Sequence, residues 1–314
     1  MTGTDLPTAP ARVAAVVLNY RTPELVIDCL ETLAPEIDPQ RDCIVVVDNQ
    51  SGDDSAGAIR NAVESAGWKS VQVVESPRNG GFAAGNNYGI AAVDAQAYLL
   101  LNSDTLIRPG AVETLWRALQ ARTDVGLVSP RLEWPDGAPQ ISTFRFHSPF
   151  SELVAGSGTG AVRSLLERWD VPIPVREEAF SPEWTSFAAV MIRAEVLRVA
   201  GPLDDGFFMY FEDVDYCRRA RRAGWRVWHE PEARVVHLRG GTSSVKAATA
   251  ARRRRPDYYY ASRRRYFRNA YGAAGPVLAN LCWTLGRVVS WLRETLGSKP
   301  PHTVDRELQD NWTG

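Results

Sequence analysis

The 314-residue sequence predicts an α/β fold: a doubly wound sheet whose ligand site lies at the carboxyl ends of its strands. Three observations carry this. Short apolar runs recur through the first 130 residues, helix-start signatures separate them, and a polar cluster follows almost every run.

In chain order, Val13 to Leu18, Cys43 to Asp48, Val71 to Glu75, Tyr98 to Leu101 and Val125 to Ser129 read as buried strands. Pro23 to Leu33 and Pro109 to Arg122 open with proline at a helix start, and Ser55 to Ala66 follows Ser51, Asp53 and Asp54. The polar residues after the strands are the candidate ligand contacts: Asn19 and Tyr20, Asp48 to Ser51, Arg78 to Asn87, and Asn102 to Asp104. From Glu133 to about Pro182 the periodicity fades. A hairpin at Asp136-Gly137 and an irregular or short-helical insertion are expected there, able to shape an acceptor site. Patterning returns with Trp184, apolar Phe187 to Ile192 and a short helix over Glu195 to Ala200. Glu212 to Ala223 has three acids in its first turn, four Arg behind them and Gly224 as the stop, in keeping with the helix dipole. Trp225 to His229 reads as a strand, with His237 in a loop beyond Val235-Val236.

Composition narrows the class. The 45% hydrophobic and 23% charged fractions exclude wholesale disorder and collagen-like chains, and the length suits either one large α/β domain with an appendage or two modest domains. Cys29, Cys43, Cys217 and Cys282 lack paired spacing, and no secretory segment precedes the first strand, so thiols in a cytoplasmic setting are expected. The longest apolar stretch, Gly275 to Leu296, is interrupted by Asn280, Arg287 and Arg293, so membrane contact is expected to be peripheral. A net charge of −1 conceals a basic segment, Arg252 to Arg268, with eight Arg and one Asp.

Leu99-Leu-Leu-Asn102-Ser103-Asp104-Thr is a buried strand ending in an oxygen-rich turn, a place where a hard cation bridging two phosphates could be held by Asp104. An Asx turn before the helix at Pro109 accounts for the same residues. Asp48 at a strand end suits a base N–H or a ribose hydroxyl, and a turn explains it equally well. Arg78-Asn79-Gly-Gly-Phe-Ala-Ala-Gly85-Asn86-Asn87 reads as a Gly-rich loop that lets backbone approach a ligand beside Arg78, without the P-loop Lys or dinucleotide spacing, and a tight loop with no ligand accounts for the same residues. Phe208-Met-Tyr-Phe-Glu212-Asp213-Val-Asp215 sets aromatic rings before clustered acids. Such rings can wall a sugar and raise a carboxylate pKa toward that of a general base, although a helix start also favours acids. His147, His229 and His302 have a structural reading.

Together these motifs resemble glycosyltransferase family 2, and in particular its bacterial rhamnosyltransferase-like members with the GT-A fold. The similarity runs from about Val13 to Ser243. Its residues are Asn19-Tyr20-Arg21-Thr22, Val47-Asp48-Asn49-Gln50-Ser51-x-Asp53, Asn79 to Asn87, Leu101-Asn-Ser-Asp-Thr105, Gly201-x-x-Asp204-x-x-Phe207-Phe208-x-Tyr210-x-Glu212-Asp213-x-Asp215, Gly224-Trp225 and His237.

The resemblance implies a GT-A catalytic domain over residues 1–245, its nucleotide half about 11–130 and its acceptor-side half about 131–245, and the remaining residues 246–314 read as a basic, aromatic helical extension. Asp213 is the implied catalytic base. Asn19, Tyr20, Thr22, Asp48, Asn49, Arg78, Asn79, Gly85, Asn86, Asn102, Ser103 and Asp104 form the candidate donor site, with Asp48 on the nucleobase. Trp184, Glu212 and Asp215 lie on the acceptor side. Asp104 and His237 would hold Mg²⁺ or Mn²⁺. The implied reaction is inverting transfer of a sugar, rhamnose favoured, from a dTDP- or UDP-linked donor to a hydroxyl of a saccharide or lipid-linked acceptor. Asn102 stands where the fuller Asp-x-Asp motif has an acid, and Phe187 where many members have Gly.

A sugar nucleotidyltransferase would need a Gly-rich basic signature after the first strand, which Asn19-Tyr20-Arg21-Thr22 lacks. A nucleic-acid module would explain the tail but give no purpose to Asp104 and Asp213, so no nucleic-acid partner is expected. The Arg- and Tyr-rich tail suits either an anionic membrane surface on the cytoplasmic side or packing on the catalytic domain or a second copy in a homo-oligomer.

Overall fold

A computed structural model describes residues 10–239, 244–297 and 303–313. His302 and the end of the family-like stretch near Ser243 lie outside them. The first half runs β1 (Ala11–Asn19), α1 (Pro23–Leu33), β2 (Cys43–Asp48), α2 (Ser55–Ala66), β3 (Val71–Glu75), α3 (Gly81–Ala91), β4 (Ala95–Asn102), β5 (Thr105–Ile107), α4 (Ala111–Gln120) and β6 (Val125–Glu133). The insertion contains β7 (Thr143–Phe144), α5 (Pro149–Ser157), α6 (Gly160–Leu165) and β8 (Trp184–Thr185). Then follow β9 (Ala189–Arg193), α7 (Ala194–Ala200), α8 (Glu212–Arg222) and β10 (Arg226–His237), and the tail forms α9 (Ser244–Ala250), α10 (Asp257–Tyr271), α11 (Gly275–Gly297) and α12 (Glu307–Thr313).

The main sheet has the order β3-β2-β1-β4-β9-β6-β10-β5, with β7 and β8 paired separately. β1 through β4 are parallel, whereas β9 runs antiparallel between β4 and β6. Both faces are covered, which is why the strands read as unbroken apolar runs. Along β1, Val13, Ala15 and Val17 join Leu30 of α1, Ile59 of α2 and Leu115 of α4 in one cluster. Ala14 and Val16 face the other way, into a cluster with Ala83 of α3, Val196 of α7 and Tyr216 of α8.

Three local expectations are corrected. The Gly-rich segment is a loop only to Gly80, because α3 starts at Gly81. Its glycines serve helix-to-sheet packing: a Cβ on Gly85 would stand 2.4 Å from Leu18 Cδ1, and one on Gly89 2.5 Å from Val16 Cγ1. The strand read as ending at His229 continues through a register shift to His237. His237 is therefore the last residue of a strand, paired with Thr105 of the three-residue β5 that the sequence did not reveal. The hairpin is present, with Gly137 at φ +85° and its N–H bonded to the Trp134 carbonyl.

The basic tail packs on the sheet domain. Tyr266 and Phe267 of α10 are fully buried in the second cluster, beside Phe207 and Val214. Arg263 donates two bonds to Glu152 of α5 and one to Asn280 of α11, all buried. Arg265 grips Asp204 in a bidentate pair. Several of the tail's arginines are thus committed to partners within the chain, Arg263 in the interior and Arg265 at the surface. Among the described residues no helix is long and apolar enough to cross a membrane.

Candidate active site

The carboxyl ends of β1, β2 and β4 meet in a polar network. Asn19, fully buried, donates from Nδ2 to Asp48 (2.7 Å), and its Oδ1 accepts from the Thr22 N–H. Ser51 donates to both Asp48 oxygens, from its hydroxyl at 2.5 Å and its N–H at 3.0 Å. Thr22 reaches Ser103 across the gap at 3.3 Å. Asn49 donates to Asn79 and to the Gly81 carbonyl, tying the β2 turn to the start of α3. Arg78 extends into solvent, 3.5 Å from Asp205. Asn86 is buried within α3 and bonds the Phe82 carbonyl.

Beside this network lies a cavity of about 200 Å³ lined by Tyr20, Asn102, Ser103, Asp104, Glu212, Asp213 and His237 among others. The β5–β10 pairing sets His237 opposite Thr105, which brings His237 Nε2 to 3.4 Å from Asp104 Oδ1. Asn102 is anchored through its main chain: its N–H bonds the Ala188 carbonyl, and its carbonyl accepts from the Thr105 hydroxyl.

The acids on the opposite wall arrive through a strained turn. Tyr210 and Phe211 both have left-handed φ values, +69° and +67°, immediately before α8. Bulky side chains in that region cost on the order of 1–3 kcal/mol each, and such strain gathers at functional sites. The turn is held by packing of Phe211 on Tyr259, Tyr266 and His147. It is also clamped to α3, because the Phe82 N–H bonds the Phe208 carbonyl at 2.7 Å.

Asp213 opens to the cavity but is otherwise enclosed by protein. Desolvation pushes its carboxyl up to about 6, against the N–H groups of Val214 and Phe187 and the charge of His147, which favour ionisation. Burial and the Asp213 charge drive Glu212 well above the carboxylate range. Of the pair, Asp213 is therefore the more readily ionised, and its charge is part of what raises Glu212.

The remaining candidates fall outside the cavity lining. Trp184 stacks on Phe144 at 4.2 Å and donates to the Arg145 carbonyl. Asp215 accepts from Arg219 and Asn269. Asp48, Asn49, Asn79, Gly85 and Asn86 sit behind or beside the cavity in the packing described above. Phe187 lines it and meets Tyr216 edge-on.

Two residues escaped the sequence reading. Arg239 lines the cavity and donates to the Ile141 carbonyl, and burial lowers its guanidinium pKa. No strand period pointed to it, because β10 ends at His237 and Arg239 takes a left-handed φ of 45°. His147 comes from the insertion, with no local motif. Its ring packs at a tilt, 5.2 Å from that of Phe211, and Glu152 lies 3.9 Å from its Nδ1.

An open α/β sheet with a 3-2-1-4 strand order, an oxygen-rich turn after the fourth strand and a pair of acids facing it across one cavity defines the GT-A class of folds. Within it, the chain belongs to glycosyltransferase family 2, since the family model "Glycosyltransferase like family 2" matches residues 10–272. It is similar to the low-salt glycan biosynthesis hexosyltransferase Agl10 of Haloferax volcanii, 26% identical over 67% of this chain and 62% of that protein. It is also similar to the N-acetylglucosaminyl-diphospho-decaprenol L-rhamnosyltransferase of Mycobacterium tuberculosis, 25% identical over 62% of this chain and 66% of that protein. The matched region thus spans less than two thirds of these relatives. Among solved structures, the mannosyltransferase PcManGT of Pyrobaculum calidifontis, in complex with GDP-Man and Mn²⁺, superposes with a TM-score of 0.59 at 16% identity over 94% of this chain and 78% of that chain. At that identity the likeness concerns the fold.

Proposed function

We propose that the protein is an inverting glycosyltransferase that moves a sugar, rhamnose favoured, from a pyrimidine nucleoside diphosphate to a hydroxyl of a saccharide or lipid-linked acceptor in the synthesis of a cell-surface glycan. The observation that carries the reading is the cavity that sets the desolvated Asp213 carboxyl opposite Asp104 and His237. Similarity to a rhamnosyltransferase and a hexosyltransferase supports the donor class.

The acceptor oxygen attacks the anomeric carbon as its proton passes to Asp213. The bond from that carbon to the diphosphate oxygen breaks on the opposite face, the nucleoside diphosphate leaves, and configuration inverts. Asp213 matches this task because a base titrating near 6 is both ionised at neutral pH and stronger than an ordinary carboxylate. Asn102 and Ser103 line the donor side and Tyr210 the acid side, so the reacting centre belongs between them.

Asp104 and His237 present one carboxylate oxygen and one imidazole nitrogen to the same space, and among the described residues no cluster of three or more His, Cys, Asp or Glu side chains forms a metal cage. That set fits Mg²⁺ or Mn²⁺ held jointly with donor phosphates and water. Bound there, the cation would neutralise charge on the departing diphosphate.

Thermal melting with dTDP, UDP and GDP, each with and without Mn²⁺, tests the donor assignment. A ligand that binds only the folded state raises the melting temperature, so dTDP or UDP with Mn²⁺ should do so. Stabilisation by GDP alone would overturn the assignment.

A further inference from the structure

The helix α11 is amphipathic in the reverse sense of a soluble surface helix. Apart from the buried Trp283, its protein-facing side is small and polar: Gly275, Ala279, Asn280, Gly286 and Ser290 are buried. It lies at backbone distance from α5, where a Cβ on Gly286 would stand 2.3 Å from the Leu153 carbonyl oxygen and one on Gly156 2.3 Å from that of Trp283. The side turned away from the protein carries the large apolar residues. Leu278, Leu281, Leu285, Val288, Leu292 and Leu296 follow each other at three- and four-residue intervals and are all exposed, Leu285 by 59% and Leu296 by 86%.

The charges that interrupt this helix in sequence leave the stripe clear. Arg287 turns to Glu294 at 2.9 Å, and Arg293 donates to the Gly158 carbonyl. The apolar surface continues onto α12. A groove of about 380 Å³ between the two helices is walled by Val288, Trp291 and Leu308, and Trp312, one turn beyond Leu308, is also exposed.

We propose that this outer face of α11, continued by Leu308 and Trp312, docks on the surface of an anionic lipid bilayer. From Leu278 to Leu296, at about 1.5 Å per residue, the stripe extends roughly 27 Å. That is far beyond what a lone exposed leucine needs explained, and it suits a helix lying in the membrane interface with tryptophans at its edge.

The charge around the face selects lipid over a second copy. Residues 246–314 hold thirteen Lys and Arg against five Asp and Glu. Arg264 and Arg268 lie one turn apart on α10, and Arg306 borders the groove; among the described residues none of the three has an acidic partner. Two copies pairing through this segment would set its net positive charge against itself, whereas acidic headgroups complement it. The inference stands apart from the catalytic reading, because it uses none of the cavity residues.

Co-sedimentation of the full chain with phosphatidylcholine vesicles, with and without phosphatidylglycerol and in the absence of nucleotide, tests it. The protein should pellet with the anionic vesicles and less so in about 0.5 M salt. Leu281→Glu, Leu285→Glu and Leu292→Glu combined should lower the partition coefficient by about tenfold or more, with the melting temperature of the parent because the side chains are exposed. If the triple variant melts low, Leu285→Glu alone is read in its place. Arg264→Ala with Arg268→Ala should weaken binding to anionic vesicles and leave neutral ones unaffected. Failure of the parent to pellet, equal pelleting by the leucine variant, or a parent dimer that the leucine variant splits without any vesicle binding would each overturn the proposal.

Discussion

At neutral pH the Asp213 carboxyl carries a charge that its surroundings under-solvate, and this links catalysis to stability. An unfolded Asp ionises near 3.8 and the folded one near 6, so between those values the folded state binds more protons and stability falls as pH rises. Asp213→Asn should therefore melt at or above the parent temperature at pH 7–8, with the difference vanishing below about pH 4. Melting curves of both proteins across pH check this, and a variant that melts lower at every pH would give Asp213 a structural role. Asp104→Ala acts on the other wall and should abolish the Mn²⁺-dependent part of the nucleotide-induced melting shift. The acids were legible in the sequence because aromatic residues directly precede them. Which acid is ionised was not, since that depends on the Phe187 N–H and on His147, residues brought in from β9's approach and from the insertion.

At the scale of elements, α3 and the turn before α8 are one unit. Gly81 has φ +82°, and a Cβ there would stand 1.9 Å from the Phe208 carbonyl oxygen. Gly81→Ala should cost more than about 2 kcal/mol and displace the acid-bearing turn, reducing both melting temperature and turnover. Gly67→Ala is the matched control: φ is +66° with nothing near its Cβ, so only about 1 kcal/mol of backbone strain is expected. Strands β1 to β4 and α1, α2, α4 and α8 were legible from apolar runs, Pro starts and the acid-to-Arg gradient. Helix α3 was hidden because its glycines, read as ligand-approach signals, serve close packing on Val16 and Leu18. β5 was hidden because three residues carry no period, and it is defined only by its pairing with β10.

At the scale of the molecule, the C-terminal helices complete the core that supports the site. Tyr266 and Phe267 are fully buried with Phe207 and Val214, and the family match extends through α10 to residue 272. The Glu152–Arg263 pair joins α5 to α10. Burial alone would raise the Glu152 pKa, but the charges of Arg263 and His147 hold it down at about 2. Its contribution is present above about pH 4.5 and is lost as pH falls toward 2. Glu152→Gln leaves Arg263 buried without its counter-charge and should cost about 3–5 kcal/mol at neutral pH, a difference that denaturant titrations should show closing in acid. The sequence showed the tail as basic and aromatic. It could not show which arginines face inward, because that depends on the angle at which α10 and α11 meet α5.

Release of nucleoside diphosphate from a sugar nucleotide, followed with the parent and with Asp213→Asn under saturating donor and Mn²⁺, tests the role of Asp213 directly. Asparagine keeps the size and much of the hydrogen bonding of Asp213 but removes its proton affinity, so turnover should fall by roughly two to four orders of magnitude while the nucleotide-induced melting shift persists. A variant that melts like the parent and turns over at a comparable rate would contradict the assignment of Asp213 as the base.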